Sequence, residues 1–143
     1  MHQEPQISVV VPAYNEEATL PLLRNSLTEV FAQRSESWEL VIVDDGSYDN
    51  TRNVIADLIR SSSLVRGIVL SRNFGHEAAI DAGLRAARGD AVILMDADLQ
   101  DSPAAIPQLI DEWLAGADVA YVVREKRKEG RLLRTAFRWY YRL

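Results

Sequence analysis

The sequence contains no cysteine. That excludes a disulfide scaffold and any thiolate metal site, and it fits a reducing compartment. Histidine is nearly as scarce, with two in 143 residues, so a zinc centre has few ligands to draw on. Seven glycines and five prolines are too few for a collagen-like or low-complexity chain. Long hydrophobic runs are missing as well. The first apolar run, Ile7 to Val11, is too short for the core of a secretory signal. No stretch approaches the roughly 20 apolar residues of a membrane-spanning helix.

The length suits one domain, since roughly 100–200 residues per domain is usual. It exceeds the roughly 70–80 residues below which a core needs staples. The net charge of −5 argues against a nucleic-acid coat protein, and no nucleic-acid partner is expected. This charge averages two unlike parts. Residues 1–123 hold 8 Arg and no Lys against 19 Asp+Glu, a net −11. Residues 124–143 hold 8 Lys+Arg against Glu125 and Glu129, a net +6. Such asymmetry suggests an anionic partner at the basic end. There, Arg131, Arg134, Arg138 and Arg142 recur at helical spacing among Leu132, Leu133, Phe137, Trp139, Tyr140 and Tyr141. A basic amphipathic helix with aromatics reads as membrane-surface binding, or as a helix packed on further protein. The chain stops at Leu143 without a Gly, Pro or polar tail. The expectation is a piece of a longer protein.

Short apolar runs alternate with longer mixed segments. Strands are predicted at Ile7 to Val11, Leu40 to Val43, Gly67 to Leu70, Ala91 to Met95 and Ala117 to Val123. Between them lie helical patterns. The first carries Leu20, Leu23, Leu27, Val30 and Phe31, with Asn15 as expected N-cap. The second carries Val54, Ile55, Leu58 and Ile59 behind a cap at Asp49 or Asn50. The third follows Gly75, and the fourth starts at Pro103 and ends at Gly116. A basic helix is predicted from Gly130. Val- and Ile-rich strands separated by helices imply a parallel sheet covered on both faces.

Ligands of such sheets bind outside the carboxyl ends of the strands. The residues after the strands should therefore meet on one edge. They are Pro12 to Glu16, Asp44-Asp45-Gly46-Ser47, Ser71 to Gly75, Asp96 to Gln100, and Arg124. Asp96 and Asp98 lie two apart just past a buried strand, so both can reach one cation. Such oxygen ligands suit Mg²⁺ or Mn²⁺, and Gln100 adds a neutral oxygen. Alone, this D-x-D is as readily a solvated turn or a helix cap. Asp44 and Asp45 form an Asx-type turn or bind a base or ribose. Tyr14 is a core residue or stacks on a base. Arg72 holds phosphate or sits at the surface. His76 and Glu77 read first as capping or surface residues.

Five strings occur in order: ISVVVPAYNEE from Ile7, VIVDDGS to Ser47, SRNFG to Gly75, Gly89-Asp90, and MDADLQDSP to Pro103. Together they resemble a family 2, GT-A-fold glycosyltransferase over essentially the whole chain. The likeness is greatest to the polyprenyl-phosphate branch, which includes dolichyl-phosphate mannose synthases and bacterial undecaprenyl-phosphate glucosyl- and aminoarabinosyltransferases. The resemblance implies an α/β, Rossmann-like nucleotide-diphospho-sugar transferase fold with a mostly parallel central sheet. It implies a nucleotide grip by Pro12, Tyr14 and Glu16. Val43, Asp44 and Asp45 would contact base and ribose. Asp96, Ala97, Asp98 and Gln100 would lie against the diphosphate, with Asp96, Asp98 and Gln100 holding Mg²⁺ or Mn²⁺. Arg124 and Arg134 would receive an acceptor phosphate, and Asp96, Asp98 and Arg124 would be catalytic.

The implied enzyme is a metal-dependent, inverting hexosyltransferase. It would move a sugar from a UDP- or GDP-sugar to a polyprenyl phosphate at the cytoplasmic membrane face. Residues 1–143 would be one catalytic core, a fragment of a longer enzyme. Residues 1–123 would hold nucleotide and metal, and residues 124–143 would face acceptor and membrane. Alternatives are a family 2 transferase extending a polysaccharide or glycolipid, and a non-catalytic nucleotide-binding module. A receiver-like signalling domain would need a carboxylate after the third strand, where Ser71-Arg72-Asn73 stands instead.

Overall fold

The computed structural model describes residues 4–123. Four parallel strands form one sheet: β1 (Ile7–Ala13), β2 (Trp38–Asp44), β3 (Val65–Val69) and β4 (Ala91–Leu94). Their spatial order is β3-β2-β1-β4. Helices α1 (Leu20–Phe31), α2 (Thr51–Ser61) and α3 (His76–Ala86) connect them, and α4 (Ile106–Leu114) follows a 3-10 turn at Pro103–Ala105. From β1 the chain steps outward to β2 and β3, then returns to place β4 on the other side of β1. The order therefore reverses beside β1, the switch point where open α/β sheets form their ligand crevice.

Both faces of the sheet are covered because β1 and β2 are apolar on both sides. Ile7, Val9, Val11, Leu40 and Ile42 pack with Leu20, Leu23, Leu27, Ile55, Ile106 and Ile110, which brings α1, α2 and α4 onto one face. Val10, Val41 and Val43 pack with Ala79 of α3 on the other. The period-2 alternation of strand side chains sorts the two sets. Phe31 at the end of α1 stacks on Trp38 at the start of β2, with ring centroids 4.5 Å apart.

A polar clamp closes the amino end of the sheet. Ser8 and Glu39 are buried on neighbouring strands, and the Ser8 hydroxyl donates to Glu39 Oε1 at 2.7 Å. Arg66 donates to Glu39 Oε2 at 3.0 Å. The Arg88 N–H donates to Glu39 Oε1 at 2.9 Å, and the Gly89 N–H to Ser8 Oγ at 2.8 Å. Burial pushes the Glu39 carboxyl up, but the bonds from Ser8, the Arg88 N–H and Arg66 outweigh it and hold the group below its ordinary range. The clamp fixes the turn that leads into β4, and so fixes where β4 delivers its C-terminal loop.

Two local expectations are corrected. Asn15 does not cap α1, which begins at Leu20 behind Thr19. Asn15 instead takes a left-handed conformation, φ 56°. Its side chain accepts the Tyr48 N–H at 3.1 Å, and its own N–H donates to Ser47 Oγ at 2.9 Å. An asparagine tolerates this backbone where most residues do not. The predicted fifth strand is also absent: residues 117–123 form no strand. Val119 and Tyr121 are about four-fifths exposed. A cavity of about 800 Å³ separates this segment from the outer edge of β4. A β-branched run becomes a strand only when a neighbour takes its backbone bonds and covers its side chains.

Candidate functional site

A second cavity of about 450 Å³ opens at the carboxyl edge of the sheet, at the switch point. Pro12, Ala13, Tyr14 and Glu16 supply the wall from the end of β1. Asp45 comes from the end of β2, and Asn73, Gly75, His76 and Ala79 from the β3–α3 connection. Asp96, Ala97 and Asp98 follow β4. Four loops that are far apart in sequence thus meet on one edge.

Hydrogen bonds hold each loop. The Glu16 N–H donates to Thr51 Oγ1 at 2.8 Å, and Thr19 Oγ1 donates to Glu16 Oε2 at 2.6 Å. Glu16 is thereby aimed from both its backbone and its carboxylate. Asp49 Oδ1 accepts the Thr51 N–H at 2.9 Å, an Asx-type turn ahead of α2 that fixes the same threonine, while Asn50 at the N-cap makes no side-chain capping bond. Burial raises the Asp49 carboxyl, but bonds from the Thr51 hydroxyl and N–H prevail and lower it. Asp44 and Asp45 have different tasks. Asp44 is buried and accepts the Ser47 N–H at 3.0 Å and the Ser47 hydroxyl at 2.5 Å, which forms the turn after β2. Asp45 accepts the Phe74 N–H at 2.8 Å and the Gly75 N–H at 3.0 Å, which ties the β2 loop to the β3 loop.

Gly46 makes this tie possible. Its φ is +70°, and a Cβ there would lie 2.3 Å from the Arg72 carbonyl carbon and 2.5 Å from the Asn73 nitrogen. Only a residue without a side chain lets the two backbones approach this closely.

The expected site residues separate as follows. Pro12, Tyr14, Glu16, Asp45, Asp96, Ala97 and Asp98 line one pocket. Val43 instead packs with Val10 and Ala79 beneath it, and Asp44 serves the turn. Gln100 lies in the lining of the larger cavity beyond β4, while its N–H donates to Asp98 Oδ1 at 3.0 Å. Arg72 covers the Phe74 ring, 4.6 Å from its centroid, and does not line the pocket. Arg124, Arg131, Arg134, Arg138 and Arg142 lie outside the described residues. Asn73 stands among the strand-end residues expected on this edge, and His76, which the sequence presents first as a capping or surface residue, joins it in the pocket wall. Asn73 follows the end of β3 by four residues, as Asp98 follows the end of β4, whereas His76 lies seven residues on and opens α3.

The donor set can be tested against a divalent ion. Among the described residues, no three His, Cys, Asp or Glu side chains group so as to hold a metal. Two carboxylates in an open pocket do not make a dedicated cage. They fit Mg²⁺ or Mn²⁺, which keep waters and complete their shell with substrate phosphates. Among the described residues, no helix is long and apolar enough to cross a membrane.

The family model for glycosyl transferase family 2 matches residues 8–142. The chain belongs to that family. It is 43% identical over 132 residues to an undecaprenyl-phosphate 4-deoxy-4-formamido-L-arabinose transferase of Aeromonas hydrophila, covering 91% of this chain and 40% of that protein. It is also 43% identical over 139 residues to a prophage bactoprenol glucosyl transferase homolog of Escherichia coli, covering 96% of this chain and 45% of that protein. The chain thus spans less than half the length of these relatives. Among solved structures, a mannosyltransferase of Pyrobaculum calidifontis in complex with GDP-Man and Mn²⁺ superposes with a TM-score of 0.65 at 28% identity, over 88% of this chain and 37% of that one. The glucosyl-3-phosphoglycerate synthase of Mycobacterium tuberculosis, with Mn²⁺ and UDP, gives 0.61 at 29% identity, over 78% and 40%. The fold is the GT-A, Rossmann-like arrangement: a parallel central sheet between helices.

Proposed function

We propose that this chain is the donor-binding core of a metal-dependent, inverting glycosyltransferase. It takes a hexose from a UDP- or GDP-sugar and passes it to a polyprenyl phosphate at the cytoplasmic membrane face. The observation that carries this reading is the meeting of Asp96 and Asp98 with Pro12, Tyr14, Glu16 and Asp45 in one switch-point pocket. The named activities of the relatives support the lipid acceptor. Mn²⁺ in related structures supports the metal.

Within this reading, Tyr14 and Pro12 hold the base side, with Tyr14 braced edge-on by Tyr48 at 6.1 Å. Asp45 borders the ribose and base. Asp96 and Asp98 would hold the divalent ion, Ala97 would lie against the diphosphate, and the Gln100 N–H braces Asp98 from outside the pocket. When bound, the ion neutralises charge that develops on the departing nucleoside diphosphate. The acceptor phosphate is already an anionic nucleophile. One of its oxygens forms a bond to the anomeric carbon as the bond from that carbon to the diphosphate oxygen breaks. Attack opposite the leaving group inverts the configuration, and no general base is required. Arg124 and Arg134 suit the acceptor phosphate through bidentate bonding. In this scheme residues 1–143 form one catalytic core. Residues 1–123 bind nucleotide and metal, and Arg131, Arg138 and Arg142 hold residues 124–143 at an anionic membrane surface.

A thermal-shift panel of UDP, GDP and their sugars with Mn²⁺ tests the donor site. A nucleotide-dependent rise in melting temperature is expected, from the linkage of binding to folding. No shift with any nucleotide would refute the assignment.

A further inference from the structure

We propose that His76 contacts the donor directly, binding the diphosphate end of the nucleotide across from Asp96. This rests on the nucleotide-sugar reading above and assigns it a further recognition residue.

The pocket's charge poses the problem. Glu16, Asp45, Asp96 and Asp98 all line it, and none of the eight arginines among the described residues does. Arg72, the nearest in sequence, is turned onto Phe74. A donor diphosphate adds more negative charge to this space. Among the lining side chains, His76 alone can present an N–H on a basic group to a phosphate oxygen. Asn73 can donate only from a neutral amide.

Placement decides which part of the donor His76 meets. Its Nε2 stands 3.6 Å from Asp96 Oδ1, beyond hydrogen-bond distance. Both side chains are about half exposed, so the imidazole is not consumed by a buried ion pair. It lies at the Asp96 end of the pocket, where the proposed donor site puts the diphosphate.

The imidazole is also held in place from behind. Asp45 fixes the Phe74 and Gly75 N–H groups. The Ala78 and Ala79 N–H groups donate to the Gly75 carbonyl at 3.1 and 3.2 Å, which starts α3. Ala79 is fully buried against the sheet. His76 therefore projects from the first residue of a helix anchored on both sides of it. A side chain on so fixed a backbone loses little on binding.

The test is calorimetry on the full chain with saturating Mn²⁺, comparing UDP with UMP and GDP with GMP. The nucleotide pair that the wild type binds is carried forward to the variants. His76→Ala should weaken diphosphate binding about tenfold, the loss of one charge-assisted hydrogen bond, and change monophosphate binding less than twofold. His76→Lys should restore most of the diphosphate preference. Equal loss for both nucleotides, or no loss for either, would overturn the role of His76 while leaving the donor site standing. No Mn²⁺-dependent binding by the wild type would instead overturn the donor site itself.

Discussion

Gly46→Ala is the sharpest test of how the site is held together. The backbone there has φ +70°, and an L residue in this region costs about 1–2 kcal/mol. The added Cβ would stand 2.3 Å from the Arg72 carbonyl carbon, 2.5 Å from the Asn73 nitrogen and 2.7 Å from the Arg72 Cα. All three are backbone atoms, so no side chain can swing aside. Residues 72–73 must retreat by about 1 Å to restore ordinary contact, an overpacking cost of about 1–3 kcal/mol. The same retreat pulls the Phe74 and Gly75 N–H groups from Asp45. The expected loss is therefore about 3–5 kcal/mol. Gly116→Ala is the control, because its φ is +103° and nothing lies within 4 Å of a Cβ there. It carries backbone strain without overlap and should cost about 1–2 kcal/mol. Urea denaturation of both variants reads the difference as a midpoint shift at unchanged slope. Equal losses would refute the argument that loop contact, not backbone strain alone, demands glycine at 46. Nucleotide affinity should fall with Gly46→Ala and not with Gly116→Ala.

The remaining expectations concern the clamp, the turn before α2 and the basic end. Glu39 has a folded-state pKa below its unfolded value, so its stabilisation is complete above about pH 4.3 and is lost as pH falls through the lowered value. Glu39→Gln should cost about 1–3 kcal/mol at neutral pH and flatten the acid side of the stability curve, as read by urea melts from pH 7 to pH 3. Asp49→Ala removes the acceptor of the Thr51 N–H in the turn before α2 and should cost about 1 kcal/mol in the same assay. Replacing Arg131, Arg134 and Arg138 together by glutamine should reduce sedimentation with anionic liposomes and leave neutral liposomes unaffected. Equal binding to anionic liposomes would contradict a membrane role for that segment.

The four strands and the edge where they deliver polar loops were legible in the sequence, because buried parallel strands leave continuous β-branched runs such as Ile7 to Val11. The pocket followed from one rule about strand ends. Less legible were features that depend on what a residue meets across the fold. Asn15 looks like a cap because Glu16 and Glu17 follow it, yet its partners are Ser47, Tyr48 and Asp49, more than 30 residues on. Ala117 to Val123 reads as a strand by composition, but β-propensity is a statement about neighbours, and the described residues supply none. Asp44 and Asp45 are adjacent and identical in sequence, and period-2 geometry sends one into a turn and the other to the pocket wall. The pairing of Ser8 and Glu39 is invisible without the β1–β2 register, which sets them directly opposite each other. His76 is hard to weigh from sequence for the same reason, since the group it faces, Asp96, is twenty residues away.

The central claim is that Asp96 and Asp98 form the metal-dependent nucleotide site at the switch point. Calorimetric titration of UDP and GDP into the full chain, with Mn²⁺ and with chelator, tests it for wild type and Asp98→Ala. The account predicts binding of at least one nucleotide by the wild type only with Mn²⁺, and its loss in Asp98→Ala with an unchanged circular-dichroism spectrum. Equal binding by the wild type with chelator, or by Asp98→Ala with Mn²⁺, would contradict it.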